Sequence, residues 1–222
     1  MKRKFLFLVT LAFALASCTE EYSMISQPGK KYHYDFTVKN AAGTTNWSVS
    51  REISEVAENP KVYSITTTTV INGQSETSVT NDTLKSEMVQ PIEEAFASHL
   101  AQLGPNYEIL GGSKYIKYPL MLKENMVLPS ESIRVKANIQ GKEVVGEISI
   151  KNRTFGPVET ITTPAGTFEC LRCTETHTMS FEGLENVLQV THWYGKEAGF
   201  IKQHTDATTG TVDVVLTQIE CQ

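Results

Sequence analysis

The chain has 222 residues, with 20 Lys and Arg against 25 Asp and Glu and a formal charge of −5. That acidic balance excludes the basic face on which nucleic-acid binding depends. Forty per cent of the residues are hydrophobic, enough for the core of one domain of this length or of two small ones.

Lys2-Arg3-Lys4 precedes a stretch, 5–16, whose only polar member is Thr10. A charged start followed by a short apolar run is the pattern of a secretory signal. The run is too short for a bilayer span, which needs roughly 20 residues. Leu15-Ala16-Ser17-Cys18 resembles the lipobox cut by bacterial lipoprotein signal peptidase. The resemblance implies a diacylglyceryl thioether on Cys18, cleavage before it and acylation of the new amine. Two or more such chains anchor stably, at about 0.8 kcal/mol per buried methylene. The expected domains are a signal peptide at 1–17, a lipidated N-terminus with a flexible tether at 18–30, and one antiparallel β domain at 31–222. Loss of Lys2, Arg3 and Lys4 leaves 17 cations against 25 anions, a net charge of about −8. Thr19 stands where an aspartate would favour inner-membrane retention in enteric bacteria. Glu20-Glu21 resembles the export signal of surface lipoproteins of the Bacteroidetes. Both imply an outer-membrane location, facing the periplasm or the outside.

The rest of the chain is rich in Thr, Val, Ile and Tyr in short runs bounded by Gly, Asn and Pro, the signature of antiparallel strands. Residues 32–38 alternate, with Tyr32, Tyr34, Phe36 and Val38 on one face. Strands are expected at 45–56 and 62–71. The latter ends at Asn72-Gly73, the strongest short hairpin signal, and its partner runs from 74 toward 81. Another short strand covers 83–89. One helix is expected at about 91–103. Pro91 suits a first helical position, Glu93 and Glu94 favour the first turn, and Ile92, Ala95, Phe96, His99, Leu100 and Leu103 form a stripe. Gly104-Pro105 stops it. Further strands are expected at 107–110, 114–118, 134–139, 143–150, 158–162, 167–181, 187–194, 200–204 and 211–220, with 119–129 a loop or edge. The predicted fold is mainly β: a strongly curved antiparallel sheet or partly open barrel of 10–12 strands wrapped around one amphipathic helix.

Cys170, Cys173 and Cys221 remain once Cys18 is assigned. Cys170 and Cys173 lie three apart in a strand and face opposite ways, so they do not bond each other. Either can pair with Cys221 in an exported chain. No second ligand pair completes a zinc site around them. A hairpin about Glu182-Gly183 brings His177 near His192, with Glu175 on the face of His177. Two imidazoles and a carboxylate are a zinc ligand set, but a slip of one residue reverses the faces, and no metal is expected. No G-x-S-x-G elbow is present, and Gly111-Gly112-Ser113 precedes no helix and fails as a phosphate cradle. We therefore expect no catalytic residues, no cofactor and no enzyme. Asp82-Thr83-Leu84 resembles an O-glycosylation motif of the Bacteroidetes, which makes Thr83 a candidate acceptor.

Residues 161–170, Ile-Thr-Thr-Pro-Ala-Gly-Thr-Phe-Glu-Cys, are followed at 192–202 by His-Trp-Tyr-Gly-Lys-Glu-Ala-Gly-Phe-Ile-Lys. This resembles the T-P-A-G-T-F-x-C … W-Y-x-x-x-x-G-x-x-K pattern of the TapB-like and DUF3108-like exported bacterial proteins. The resemblance implies a β-rich lipoprotein without an assigned activity. It also implies a likeness in shape to the lipoprotein carriers LolA and LolB, which fold a half-barrel over helices. In themselves these residues read as packing: a tight turn at Pro164 and Gly166, and an unusual backbone angle at Gly199.

The function expected is a non-enzymatic envelope protein that is held to the membrane through Cys18 and binds an apolar or amphiphilic ligand or an envelope partner. A structural or assembly component of an outer-membrane complex is the first alternative, an uncharacterised enzyme the second. A helix stripe that fills the core would count against lipid carriage.

Overall fold

The computed structural model describes residues 22–58, 61–84, 87–139, 141–182 and 184–221. The signal peptide, Cys18 with its lipobox, and the Glu20-Glu21 pair lie outside them. The first strands are β1 (Tyr22–Ser23), β2 (Lys30–Asn40), β3 (Gly43–Glu58), β4 (Lys61–Ile71), β5 (Gln74–Leu84) and β6 (Glu87–Pro91). Helices α1 (Ile92–Ala95) and α2 (Ala97–Gln102) follow. Next come β7 (Tyr107–Gly112), β8 (Tyr115–Pro119), β9 (Met121–Leu122), β10 (Val127–Leu128) and β11 (Glu131–Ile139). The chain ends with β12 (Lys142–Thr163), β13 (Gly166–Phe181), β14 (Leu184–Gly195), β15 (Gly199–Ala207) and β16 (Gly210–Cys221).

Twelve strands form one antiparallel sheet, ordered β5-β4-β3-β2-β16-β15-β14-β13-β12-β11-β7, with β10 on β12. Two-residue turns set much of the register. At Asn72 and Gly73 both φ values are positive, 51° and 79°. These are type I′ angles, which suit the strand twist and favour Asn-Gly. Among the described residues no pairing joins β5 to β7, so the sheet is open.

Three apolar clusters cover it. The first joins Ile92, Phe96, Leu100 and Leu103 to Ile116, Ile133, Val135, Ile148, Ile150 and Phe181. The second gathers Tyr32, Tyr34, Ile53, Cys170, Ile201, Val214 and Leu216. The third contains Tyr22, Leu122, Phe155, Leu171, Cys173 and Tyr194. Cys170 and Leu171 are adjacent and point oppositely, yet both are fully buried. There β13 is covered on both faces.

The mainly β fold and the large antiparallel sheet agree with the sequence, and several details differ. The single helix is two short ones that meet at Phe96, whose backbone (φ −100°, ψ 12°) leaves helical values. Pro91 caps the first of them and closes β6. The stripe is right in content: Ile92, Phe96, Leu100 and Leu103 are all buried. It seals the sheet over β11, β12 and β13, so the sheet does not wrap around one central helix. The large sheet has twelve strands, within the 10–12 expected, and β1 with β9 and β6 with β8 form two small sheets beside it. Residues 83–84 continue β5, and 143–150 and 158–162 fuse into β12 across two bulges. The tether is not free from Tyr22 onward: β1 pairs with β9, and Tyr22 is 1 % exposed.

The pairing of Cys221 with Cys170 or Cys173 that the sequence left open is not formed. Cys170, Cys173 and Cys221 are free, the first two buried and the third exposed. Burial, with Glu159 beside Cys170 and Glu175 beside Cys173, pushes both buried thiols up to about 12. They therefore stay protonated and poorly nucleophilic. A thiol-specific reagent added to the folded protein should label Cys221 alone, and denaturant should expose Cys170 and Cys173; rapid labelling of either buried thiol in the fold would contradict this packing. Truncating Phe96 to Ala should cost about 3–5 kcal/mol in denaturant unfolding, the usual range for a buried aromatic ring.

Candidate functional site

The polar centre of the protein forms where β12 departs from its ladder. Lys151 pairs with Thr176 and Thr154 with Thr174, so Asn152 and Arg153 both oppose Glu175. This is a bulge. Asn152 takes it at φ 55°, a left-handed angle that Asn tolerates better than most residues. The extra residue turns Arg153 inward, where it is 0 % exposed.

A buried guanidinium must be paired and hydrogen-bonded. Its Nε lies 3.7 Å from Glu175 Oε2. Nη1 donates to the Pro129 carbonyl at 3.2 Å and Nη2 to that of Lys117 at 3.4 Å. The plane stacks on Tyr118, 4.5 Å from the ring centroid. The other carboxylate oxygen, Oε1, accepts from Nε2 of His177 at 2.8 Å and of His192 at 3.1 Å. An ionised carboxylate only accepts, so both imidazoles carry a proton on Nε2.

His177 and His192 thus share a face with Glu175, as the alternation implies, but in a different register. His192 opposes Cys173 and His177 opposes Leu188. Glu175 bridges the two rings where direct opposition was expected. Among the described residues no group of three or more His, Cys, Asp and Glu has a metal-holding arrangement. Arg153 and Tyr118 were not legible as part of this cluster; the one trace is an Asn placed mid-strand before an Arg.

Burial alone pushes the Glu175 carboxyl up. Hydrogen bonds from His177 and His192, and their charge, outweigh it and hold the group below the ordinary carboxylate range. His99, on α2, sits 5.5 Å from His177 between ring centroids. Burial first, and His177 second, lower its pKa to about 4. Two nitrogens of the network, Arg153 Nε and His192 Nδ1, are buried without a hydrogen-bond partner among the described residues.

The residues that carry the family pattern build a second feature. Thr163 Oγ1 accepts from Ala165 N at 3.2 Å and closes the turn. Trp193 Nε1 donates to Glu159 at 2.9 Å. Gly199 has φ +66°, and a Cβ there would lie 2.5 Å from Ser26 N. That space lets the strap after β1 dock: Ser26 Oγ donates to the Ala198 carbonyl at 2.6 Å and Gln27 N to that of Glu197 at 3.2 Å. The turn at 195–199 is therefore a clamp on the N-terminal strap.

The surface carries open clefts. One of about 480 Å³ lies beside the bulge, lined by Val127, Leu128, Asn152, Thr174 and Gln189 among others. A second, of about 370 Å³, lies by the clamp, near Lys30, Phe168 and Lys196. A third, of about 310 Å³, adjoins the Phe36–Trp47 stack.

The DUF3108-like family model matches residues 27–212. Among curated proteins no sequence matches. A Bacteroides fragilis protein described as exported, with a YmcC-like fold, superposes with a TM-score of 0.57 at 16 % identity, covering 90 % of this chain and 99 % of that one. A Parabacteroides distasonis protein described as a lipoprotein superposes with a TM-score of 0.59 at 16 % identity and the same coverage. At that identity the likeness is one of fold.

Removing one partner of a buried ion pair leaves the other uncompensated, so Glu175→Ala should cost about 3–5 kcal/mol. Arg153→Met with Glu175→Leu should cost less than either single change. A double variant worse than both would show that the pair itself, beyond its mutual compensation, holds the fold. Acid should also destabilise. The unfolded His99 imidazole protonates near 6.5 and the folded one only near 4, so the unfolded state binds more protons between those values. Glu175 adds to the loss as the pH falls below its ordinary 4.5. Urea midpoints measured across this range should fall with pH, and His99→Leu should flatten the upper part of the slope.

Proposed function

Because the chain belongs to the DUF3108-like family, we propose that it is an exported lipoprotein, anchored through Cys18 at the outer membrane, that docks an envelope partner without catalysis. One observation carries the reading. The apolar face of the sheet over β11, β12 and β13 is filled by Ile92, Phe96, Leu100 and Leu103. An acyl chain would need that space. In the shape analogy with LolA and LolB such a face is open to lipid; here the protein's own helices occupy it. The buried Arg153–Glu175 pair ties the small β6–β8 sheet to the large one, which supports a scaffold.

The strap supports a docking role at the membrane. Tyr22 is already packed in β1. Only four residue steps separate it from Cys18, about 14 Å at full extension. A domain held that close to its lipids works as a fixed platform and not as a shuttle on a long leash.

Two measurements on the full chain test this. Purified from membranes, it should show by native mass spectrometry a lipidated polypeptide with no second lipid lost on denaturation. A stoichiometric fatty acid or phospholipid released on unfolding would overturn the docking reading in favour of carriage. Cys18→Ala should abolish the acyl mass and move the protein from the membrane to the soluble fraction; retention in the membrane would refute the anchor.

A further inference from the structure

We propose that the free edge of β5 is a strand-addition site for an extended, lysine-bearing segment of a partner protein. The inference deepens the docking reading and rests on it. β5 ends the sheet and pairs with β4 from Gln74 to Leu84 in unbroken register. Residues 74–80 are exposed on both faces.

The hairpin fixes which backbone groups are free. A two-residue I′ turn at Asn72 and Gly73 makes Ile71 and Gln74 a hydrogen-bonded pair. Hydrogen-bonded and non-bonded pairs then alternate along an antiparallel ladder. Gln74, Glu76, Ser78 and Thr80 therefore turn their N–H and C=O toward β4. Ser75, Thr77, Val79 and Asn81 turn theirs to the open edge.

Native sheets guard such edges with Lys, Pro, bulges or short strands. The opposite edge, β7, shows these devices. It has six residues, ends in Gly111-Gly112 and pairs with β11 through a register shift. β5 has eleven residues, no Lys, Pro or Gly, and no shift against β4. It also displays Val79, 59 % exposed and opposite Thr66 of β4. An unguarded edge of that length and β-branched content is a template for another strand.

Charge selects the occupant. Residues 43–84 carry Glu52, Glu55, Glu58, Glu76 and Asp82 against Arg51 and Lys61. A second copy would bring the same acidic set. Pairing β5 with itself about Val79 would place Glu76 opposite Asp82 twice, and like charges directly opposite destabilise a ladder. A partner strand that alternates Thr or Val with Lys meets both the apolar and the acidic positions.

The test uses the full chain in detergent micelles and a fluorescein-labelled synthetic peptide that alternates threonine or valine with lysine. Saturable binding is expected, with the N–H groups of Thr77, Val79 and Asn81 gaining protection from hydrogen exchange. Val79→Pro removes an edge donor but no bond to β4, and should weaken binding by about tenfold, the loss of one hydrogen bond and its neighbours' alignment. Val79→Thr should leave it nearly unchanged, and Glu76→Lys should weaken it. If the proline lowers the melting temperature, the exposed Glu76→Lys change carries the comparison. No saturable binding, binding indifferent to both variants, or self-association abolished by Val79→Pro without peptide binding would each overturn the proposal. A lipid found by native mass spectrometry sinks docking itself; lipid-free protein that ignores the peptide sinks only this edge.

Discussion

The ion pair between Arg153 and Glu175 is the interaction on which the middle of the fold depends. One guanidinium touches the carboxylate of β13, the carbonyl of Lys117 in β8, the carbonyl of Pro129 after β10, and the ring of Tyr118. It thereby ties the small β6–β8 sheet to the large one. Burying both charges costs several kcal/mol per ion before compensation. The structure meets that cost with geometry: a bulge that aims Arg153 inward and two histidines that fill the second carboxylate oxygen. Burial then explains the surroundings. It disfavours the charged form of His99, with His177 adding to the effect, and it keeps the Cys173 thiol protonated, with Glu175 adding to the effect.

From this centre the sheet differs in its two directions. Toward β7 it is covered by α1, α2 and β8, and its terminal strand is short and irregular. Toward β5 the cover thins. β4 is half-buried over most of its length and β5 is exposed over 74–80. A sheet buried on neither face owes its stability to its ladder and to cross-strand pairs such as Thr68 with Thr77, 3.0 Å apart. The threonine-rich composition of β4 is what such a ribbon needs, since threonine is β-branched and tolerates water.

How much of this was legible depended on whether the signal was local. Asn72-Gly73 set a hairpin by backbone angles alone, and the structure has it. The stripe Ile92, Phe96, Leu100, Leu103 gave the right buried face, because 3.6-residue periodicity survives a break at Phe96. Alternation put Glu175, His177 and His192 on one face, and that held although the register differed. What failed was non-local. A bulge has no periodicity, so only the mid-strand Asn152 before it hinted that Arg153 turns inward. Two-residue bridges such as β1 with β9 have too few residues to alternate, so the strap read as a tether. Whether Cys221 pairs with a buried cysteine was open in the sequence; the last strand carries it to the exposed end of β16, where it is free.

The family pattern is informative about architecture for a physical reason. Its turn at 163–166, its Trp193 and its Gly199 each serve packing, and Gly199 allows a close approach of the backbone at Ser26. A side chain there would push the strap off the 195–199 turn. The strap leads back toward Cys18, so the most recognisable stretch of the sequence sits at the junction between the domain and its expected anchor. A motif that docks this strap constrains the fold, and it lies on strands several places away in the sheet order from the exposed edge of β5.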